Sequence, residues 1–350
     1  MLSLPDRLQR PTVTRAAPQN PIILIPARLA ASRLPSKPLA QMGGMPMIVH
    51  VWRRAVAAEV GPVVVACGDQ AISDAVEKAG GRAVMTNPGH PTGSDRIHAA
   101  IAQLDPDRTF DAVINVQGDL PLLDPAAVRV AFAGLADPEI DIATLAAVIE
   151  DQAALADTSV NKVVAGFIDP SQPARALYFS KAIVPWGEGP HYEHIGLYAY
   201  RREALERFVG LPRGVLEQRE RLEQLRALEA GMHISVSLIE ADRLGVQVDT
   251  PADLARAREL MGSVIPAKEA VRNILRTNSS SSRTRAPRGK RLKSLGSRFR
   301  VNDEYEHGSA PSGIGLRPRR RGSRAPEVLQ LPGPLPGRPP LAGRPGDPRE

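Results

Sequence analysis

Short apolar runs alternate with amphipathic helical patterns along the first half of the chain. The apolar runs are "IILI", "VVVAC", "RAVMT" and "AVINV", and the helical patterns cover Pro46 to Glu59, Gln70 to Ala79 and Asp95 to Leu104, with a fourth beginning at Asp124. Strands separated by helices of about 10 to 15 residues are typical of βαβ units. The pattern therefore predicts an α/β fold with a mostly parallel sheet.

The second half of the chain is less regular but also predicts strands and helices. "IATLAAVI", "NKVVAGFI", "ALYFS", "IGLYAY" and "ISVSLI" have the composition of strands, and helices are expected from Arg202 to Phe208 and from Leu216 to Ala230. A closing helix is expected after Thr250, because Thr250 is a favourable N-cap and Pro251 suits the first helical position.

The composition changes abruptly after Gly262. Residues 264–350 contain 12 Pro, 10 Gly and two aromatic residues. Such a segment cannot bury enough apolar surface to offset its conformational entropy. We therefore expect a disordered N-terminus over residues 1–20, a folded domain over 21–263, and a disordered basic tail rich in Pro, Gly and Arg over 264–350.

The net charge of +7 is concentrated in this tail. Residues 264–350 carry 19 Lys and Arg against 7 Asp and Glu, a net charge of +12, which leaves 26 basic and 31 acidic residues before them, a net charge of −5. A basic segment without interleaved aromatic residues lacks the stacking groups of single-strand binding proteins. No specific nucleic-acid partner is therefore expected.

The remaining composition points to the cytoplasm. The single cysteine, Cys67, excludes an intrachain disulfide and suits a reducing compartment. The first twenty residues have no apolar core of the kind that a secretory signal needs. No run approaches the roughly 18 apolar residues of a membrane span, so no membrane association is expected.

Three cations follow the first predicted strand. Arg28, Arg33 and Lys37 lie in "PARLAASRLPSKPL", directly after "IILI". Ligands of open α/β sheets bind at the carboxyl ends of the strands, and prolines in this loop would hold its charges at low entropic cost. The loop is therefore a candidate anion site, with a merely solvated loop as the alternative.

Two aspartates occupy comparable positions at other strand ends. Asp119 follows "AVINV" in "NVQGDLPLL", and Asp249 lies in "VQVDTPADL". Two carboxylates facing a basic loop are what a magnesium-bound polyphosphate requires, so the pattern predicts a nucleoside triphosphate and Mg²⁺. The chain has neither GxxxxGK[ST] nor GxGxxG, which excludes a P-loop enzyme and a dinucleotide dehydrogenase.

Six motifs in one order extend this interpretation. They are "IPARLAASRLPSKPL", "HPTGSDRI", "NVQGDLP", "HIGLYAYRREAL", "LEQLRALEAG" and "VDTPADL", and together they cover about Pro21 to Met261. In this order and spacing the chain resembles the 3-deoxy-manno-octulosonate cytidylyltransferase (CMP-KDO synthetase) family. The basic loop alone would indicate only a sugar or alditol nucleotidyltransferase. The combination with "TGSDR" and "HIGLYAYRR" narrows the resemblance to the family that uses 3-deoxy-manno-octulosonate.

The resemblance implies a fold, a reaction and a site. The fold would be the Rossmann-like nucleotide-diphospho-sugar transferase fold with a smaller dimerisation subdomain, and the protein would be a homodimer. The reaction would join CTP and 3-deoxy-D-manno-octulosonate (KDO) to give CMP-KDO and pyrophosphate for lipopolysaccharide biosynthesis. By motif, the triphosphate is expected at Arg28, Arg33 and Lys37, Mg²⁺ at Asp119 and Asp249, the cytidine at Ser94, Asp95 and Arg96, and the sugar acid at Gln117, Lys181, His194, Tyr198, Glu223 and Gln224. The first five are the expected catalytic residues.

Four positions depart from the family pattern. Ser36 replaces a common Gly, Leu120 a frequent Glu, and Lys181 an arginine, and Glu193 stands where a basic or neutral residue is usual. Ser36 matters if its backbone needs a positive φ, which glycine adopts freely. Lys181 keeps the charge of arginine but loses its bidentate fork, which puts affinity for the sugar acid in doubt.

Several residues have plainer interpretations. Glu217 and Glu220 repeat along the predicted helix from Leu216 to Ala230 and are expected on a solvated face with local ion pairs. The other histidines show no metal-site spacing and are assigned no role: His50, His90, His98, His191 and His233.

Two alternative functions remain open at this point. The first is a cytidylyltransferase for another substrate, a sialic acid or an isoprenoid precursor, because such enzymes share the basic loop. The second, of a different class, is nucleic-acid binding through the basic tail, which charge alone supports.

Overall fold

The computed structural model describes residues 15–30 and 33–262, all within the first of two compact units, Met1–Thr284. The predicted basic tail over 264–350 lies outside the described residues. Residues 15–20 contact the folded domain, since the Arg15 guanidinium lies 2.8 Å from Asp141 and the backbone N–H of Asn20 donates to Asp111. The folded part therefore begins before the predicted boundary at Pro21.

Eleven strands and nine α-helices are present in the described ranges. The strands are β1 (Pro21–Ala27), β2 (Gln41–Met42), β3 (Met45–Pro46), β4 (Val63–Cys67), β5 (Arg82–Met85), β6 (Ala112–Asn115), β7 (Ile142–Val148), β8 (Lys162–Ala165), β9 (Ala174–Ser180), β10 (Tyr192–Arg201) and β11 (Ile234–Leu238). The helices are α1 (Met47–Val56), α2 (Gln70–Lys78), α3 (Gly93–Leu104), α4 (Pro125–Ala133), α5 (Gln152–Ala156), α6 (Arg202–Gly210), α7 (Val215–Glu220), α8 (Leu225–Glu229) and α9 over residues 251–262. Two short 3₁₀ helices cover Lys37–Leu39 and Ala241–Leu244.

The main sheet has nine strands in the order β5-β4-β1-β6-β10-β7-β11-β9-β8. Strands β5, β4, β1 and β6 are parallel, as the alternating pattern predicts. The prediction of a mostly parallel sheet is wrong for the second half, because β10 runs antiparallel to β6 and β7, and β9 runs antiparallel to β11 and β8. The fold is thus α/β with a mixed sheet.

Strand β10 is the reason for this mixed character. Its residues Tyr198 to Arg201 pair with β6, and nearly the whole strand pairs with β7. Tyr192 and Glu193, at its start, also pair with β8. The strands β10, β7, β11, β9 and β8 are therefore joined in a closed ring of hydrogen bonds. Direct antiparallel pairing of this kind needs no crossover helix, unlike the parallel half.

The two faces of β1 bury different side chains. Ile23 and Ile25 pack into one apolar cluster, and Ile22 and Leu24 pack into the other. Both faces are covered because helices lie on each side of the parallel strands, which is why this strand is a continuous apolar run. The polar segment after β1 therefore emerges at the carboxyl edge of the sheet.

Gly118 allows the segments after β1 and β6 to meet at this edge. A Cβ atom at Gly118 would lie 2.8 Å from the carbonyl oxygen of Pro26, closer than a methyl group tolerates. The backbone after β6 can approach the end of β1 only because this residue has no side chain.

No helix in the described part of the chain is long and apolar enough to cross a membrane.

The predicted helix from Leu216 to Ala230 is two helices, because Arg221 adopts the left-handed conformation with φ of 57° and ends α7. Glu217 is buried and accepts two hydrogen bonds from Arg226, at 2.8 and 2.9 Å. Glu220 accepts from the Ser180 hydroxyl at 2.8 Å and from the backbone N–H of Lys181. The prediction of a solvated face for the two glutamates is therefore wrong.

Candidate active site

A cavity of ≈340 Å³ lies at the carboxyl edge of the parallel strands. Four segments line it, namely the loop after β1, the start of α3, the residues after β6, and Asp249 before α9. Of the predicted site residues, the structure brings seven to this lining: Arg28, Arg33, Lys37, Arg96, Gln117, Asp119 and Asp249. The predicted triphosphate and metal residues therefore share one cavity.

Lys37 lies at the centre of a charged cluster in this cavity. Its Nζ donates to Asp119 Oδ2 at 3.0 Å and to Asp249 Oδ1 at 2.9 Å, and the Arg33 guanidinium lies 3.1 Å from Asp249 Oδ2. Burial acts to lower the pKa of Lys37, but the two carboxylates outweigh it and raise that pKa above its usual value. The ammonium therefore stays charged between the two aspartates.

Asp119 has an unsatisfied oxygen atom. Its Oδ1 is buried and has no hydrogen-bond partner in the described structure. Burial raises the pKa of the Asp119 carboxyl, and the nearby Lys37 only partly offsets this. A buried carboxylate oxygen without a partner is costly, so a cation at this position would stabilise it.

The donor set is compatible with Mg²⁺. Within residues 15–30 and 33–262 no group of three or more His, Cys, Asp or Glu side chains could hold a metal ion by itself. Mg²⁺ is usually bound by one or two carboxylates together with waters and substrate phosphates. Asp119 and Asp249, held 2.9 to 3.0 Å from one ammonium, supply such a pair beside a basic loop.

The basic loop is shaped by an unusual serine. Ser36 has φ of 55° and ψ of 27°, the left-handed region, immediately before the 3₁₀ turn Lys37–Leu39 that positions Lys37. This position therefore does need a positive φ, which glycine adopts more easily than the serine that stands here. Nearby, Asp69 accepts a hydrogen bond from the backbone N–H of Leu29 at 2.9 Å and ties the loop to the end of β4.

We expect Ser36→Gly to stabilise the protein. Glycine adopts positive φ without the steric cost that a Cβ atom brings, and this gain, reduced by the greater freedom of glycine in the unfolded chain, should be about 0.5 to 1 kcal/mol. Urea unfolding measures it, with Ser36→Ala as the control that keeps the Cβ atom and should show no gain. A glycine variant less stable than the serine protein would contradict this account.

The start of α3 brings the predicted cytidine residues into the site unequally. Thr92 and Asp95 form a capping box, in which the Thr92 hydroxyl accepts from the Asp95 backbone and the Asp95 carboxylate accepts from the Thr92 backbone. Arg96 is buried, lines the cavity and donates to Thr86 Oγ1 at 2.7 Å. Asp95 therefore caps the start of α3 and does not line the cavity. The Ser94 hydroxyl donates to Glu223 at 3.2 Å.

Three of the six predicted sugar residues, His194, Tyr198 and Gln224, form a second polar group. His194 is buried, its Nε2 lies 3.1 Å from the Thr144 hydroxyl, and its Nδ1 lies 3.4 Å from Gln224 Nε2. The Tyr198 ring packs 5.5 Å from the His194 ring, measured between centroids. Burial lowers the pKa of His194 to about 3, so the imidazole is neutral at physiological pH. Burial also raises the pKa of the nearby Glu223 carboxyl.

Lys181 is not among the residues that line the cavity. Its backbone N–H donates to Glu220, and its carbonyl oxygen accepts from Lys162 Nζ at 3.3 Å. Glu193, one of the departures from the family pattern, pairs across the sheet with Lys162, and burial raises the pKa of its carboxyl. Leu120 is buried in the apolar core.

Sequence reasoning missed His90, which the structure places in the cavity lining beside Thr92 and Gly93. The signal was available in the sequence, because His90 begins the "HPTGSD" motif that leads into α3. Its spacing from the other histidines does not match a metal site, and that is the only pattern in which an isolated histidine stands out. Thr144 was also missed, since nothing local marks a threonine in an apolar strand.

Comparisons with known proteins identify the family. A sequence model described as cytidylyltransferase matches residues 22–234. The 3-deoxy-manno-octulosonate cytidylyltransferase of Rhodospirillum centenum is 59% identical over 256 residues, which are 73% of this chain and 99% of the relative. The enzyme of the same name from Methylorubrum extorquens (strain PA1) is 59% identical over 242 residues, 69% of this chain and 97% of the relative.

A solved structure is similar in fold as well as in sequence. It is the structure of CMP:2-keto-3-deoxy-manno-octonic acid synthetase complexed with CTP, with 39% identity and a TM-score of 0.64 over 70% of this chain and 99% of that chain. The family match, the relatives and the shared fold lead to one conclusion: this chain belongs to the 3-deoxy-manno-octulosonate cytidylyltransferase family.

Proposed function

We propose that the protein transfers CMP from CTP to KDO, giving CMP-KDO and pyrophosphate. The observation that carries this proposal is the juxtaposition, at one sheet edge, of a cationic loop and two carboxylates. The bulge of β10 that follows His194 lies next to Gln117 in the same lining, since a Cβ atom at Gly196 would lie 3.9 Å from the Gln117 side chain. The names of the relatives and the CTP complex of the similar structure support the choice of both substrates.

Arg28, Arg33 and Lys37 are proposed to bind the triphosphate. Arg28 is exposed in the cavity lining, and Arg33 is 65% exposed although it contacts Asp249. A guanidinium that is mostly in solvent can turn to a phosphate without losing a buried partner, and Arg is well suited to bidentate phosphate contacts. Lys37 then serves as a point charge between the phosphates and the aspartates.

Asp119 and Asp249 are proposed to hold Mg²⁺. Mg²⁺ held there would supply positive charge to neutralise the triphosphate and activate it for attack. The protein contributes the two carboxylates and the rigid elements behind them. In particular, the backbone N–H of Val248 donates to the carbonyl oxygen of Asp119 at 3.0 Å, which fixes the two metal-binding segments relative to each other.

The reaction follows from this arrangement. The anomeric hydroxyl oxygen of KDO attacks the α-phosphorus of CTP in line with the leaving pyrophosphate. One P–O bond forms, the bond between the α-phosphorus and the oxygen that bridges to the β-phosphorus breaks, and the hydroxyl proton passes to solvent. The cationic side chains compensate the charge that develops on pyrophosphate. Catalysis therefore comes from positioning and electrostatics, without a covalent enzyme intermediate.

The sugar acid is proposed to contact Gln117, His194, Tyr198, Glu223, Gln224 and Lys181, and cytidine to contact the segment Ser94, Asp95 and Arg96. Most of the residues proposed to contact the sugar acid are neutral groups that form hydrogen bonds, which suits a polyhydroxy ligand. The role of Lys181 rests on the sequence motif alone.

Release of pyrophosphate from CTP with a panel of sugar acids tests the function. We expect turnover with KDO and Mg²⁺, and little with a sialic acid of similar charge. Turnover with another acid and none with KDO would overturn the proposed substrate while leaving the cytidylyltransferase assignment in place. The cytoplasmic location and the role in lipopolysaccharide biosynthesis stay predictions from the sequence and the resemblance.

We also propose that the protein is a homodimer and that the face around Trp186 contributes to its interface. Trp186 is fully exposed, and Ile183 and Leu177 are more than half exposed. Ile183 and Trp186 lie between β9 and β10, next to the ring of strands that would form the smaller subdomain. Large exposed apolar and aromatic side chains are enriched at protein interfaces.

We expect Trp186→Glu to shift the protein toward monomer, because a carboxylate would be desolvated on association. Analytical ultracentrifugation across a range of protein concentrations measures the shift. Val56→Glu, at the end of helix α1, is the matched control, since Val56 is also an exposed apolar residue. A Trp186 variant that dimerises as tightly as the unmodified protein would exclude this face.

A further inference from the structure

Thr144 links the predicted sugar residues to the strand that carries them. It lies fully buried in β7, opposite a bulge in β10 between Ile195 and Tyr198. Its hydroxyl lies 3.0 Å from the carbonyl oxygen of Ile195, 2.9 Å from that of Leu197, and 3.1 Å from His194 Nε2. One hydroxyl thus serves the bulge and the histidine together.

The donor and acceptor capacities of these groups determine where the protons are. A hydroxyl has one proton, and the carbonyl oxygens of Ile195 and Leu197 can only accept. If Thr144 donated its proton to His194, its oxygen would face two carbonyl oxygens at about 3 Å with no proton between them, a repulsive contact. Thr144 therefore donates to a carbonyl and accepts from His194 Nε2–H.

The second ring nitrogen of His194 follows from the first. The buried imidazole is neutral and carries one proton, so protonation at Nε2 leaves Nδ1 with a free lone pair. Gln224 faces this nitrogen at 3.4 Å and must present its NH₂ group to it. The opposite end of the amide, Oε1, has no hydrogen-bond donor among the described residues, and is free to accept from a ligand.

We propose that Thr144 is a positioning residue that fixes His194 as the Nε2–H tautomer and thereby turns the Gln224 carbonyl oxygen toward a hydroxyl group of the sugar acid. The kinetic part of this inference rests on the proposed function, and the tautomer does not. The neighbouring Phe179 ring, edge-on to His194 at 4.8 Å, keeps the imidazole from rotating out of this arrangement.

NMR of the full-length protein labelled with ¹⁵N-histidine tests the tautomer without any substrate. We expect the His194 ring, assigned by comparison with a His194→Gln variant, to show protonated Nε2 and unprotonated Nδ1. Thr144→Val removes the hydroxyl at nearly constant shape and should lose the pure Nε2–H state, and Thr144→Ser should retain it. A protonated Nδ1 in the unmodified protein, or an unchanged tautomer in the valine variant, overturns the proposal.

Steady-state kinetics test the consequence for the sugar site. In Thr144→Val the KM for KDO should rise about tenfold with the KM for CTP within about twofold, since one hydrogen bond to one substrate is misdirected. Thr144→Ser should restore the KM for KDO. Equal rises in both KM values would overturn the positioning role.

Ser235→Ala is the matched control for the loss of a buried hydroxyl. Ser235, in the neighbouring strand β11, donates to the carbonyl oxygen of Gly134 at 2.8 Å and has no contact with the site. It should lower thermal stability as Thr144→Val does, with both KM values unchanged. If KDO proves not to be a substrate while the Nε2–H tautomer is observed, the proposed function fails and the assignment of the protons stands.

Discussion

Asp119→Asn is expected to lower the rate of CMP transfer by about a hundredfold or more at saturating CTP and Mg²⁺, a barrier increase of about 2.7 kcal/mol. The amide keeps the shape of the carboxylate but removes the charge that makes it a ligand for a hard cation. The buried Oδ1 without a partner is the atom that the cation would satisfy. Asp249→Asn should have a similar effect.

Stability measurements separate this loss from misfolding. Burial already disfavours the charged form of Asp119, so an uncharged amide should leave the thermal unfolding midpoint nearly unchanged. Asp124→Asn is the matched control, because Asp124 lies in the same segment and caps α4 through Ala126, which asparagine does equally well. If Asp119→Asn retains near-normal Mg²⁺-dependent turnover, the proposed metal site is wrong.

The charged part of the site could be predicted from strand positions for Lys37 and Asp119, which follow β1 and β6, but not for Asp249, because no strand lies between Leu238 and α9 in the described structure. Lys37 and Asp119 are far apart in the sequence, yet each comes after an apolar run whose carboxyl end lies at the same sheet edge. The prediction of a strand end at Asp249 is wrong, because the segment before it is irregular and is held at this edge by the hydrogen bond from the Val248 N–H to the Asp119 carbonyl oxygen. In the structure Lys37 Nζ lies 3.0 Å from Asp119 Oδ2 and 2.9 Å from Asp249 Oδ1. Their contacts with ligands stay predictions.

The second half of the sheet could not be predicted in the same way. The run "IGLYAY" identifies a strand, but nothing in it says that β10 lies antiparallel between β6 and β7. That position depends on pairing with segments more than 40 residues away, and the bulge at Ile195 depends on the buried Thr144 hydroxyl. Local patterns do not report such long-range contacts.

The break at Arg221 shows the same limit in a helix. Arginine has high helix propensity, and the residues around it predict a continuous helix. The chain instead turns there, which lets Arg226 reach back to Glu217 across the turn that carries Glu223 and Gln224. A tertiary ion pair accompanies a conformation that local propensity opposes.

This ion pair leads to the second large prediction, that Arg226→Met lowers the free energy of unfolding by about 3 to 5 kcal/mol at pH 7.5. The variant removes a guanidinium that packs over Phe208 and leaves the Glu217 carboxylate buried without its bidentate partner. Arg213→Met is the matched control, because Arg213 contacts the same carboxylate at 3.1 Å but is 68% exposed, and it should change stability little.

The pH dependence distinguishes an unpaired charge from lost packing. In the unmodified protein burial acts to raise the pKa of Glu217, but hydrogen bonds from Arg226, Gly214 and Arg213 outweigh it and lower that pKa. Glu217 therefore adds stability above its unfolded pKa, near 4.5, and loses it as the pH falls through the lower folded value. In Arg226→Met burial should dominate and raise the pKa, so the sign reverses and stability falls as the pH rises through the raised value.

The difference in unfolding free energy between the unmodified protein and Arg226→Met should therefore be largest near pH 7.5 and shrink toward pH 5. Urea unfolding at these two pH values measures it. The double variant Glu217→Gln with Arg226→Met removes both charges and should recover part of the loss at pH 7.5. A loss that is equal at both pH values would mean that Arg226 acts through packing on Phe208.

Because Glu223 and Gln224 lie in the turn that the Arg226–Glu217 ion pair closes, Arg226→Met should also raise the KM for KDO more than the KM for CTP.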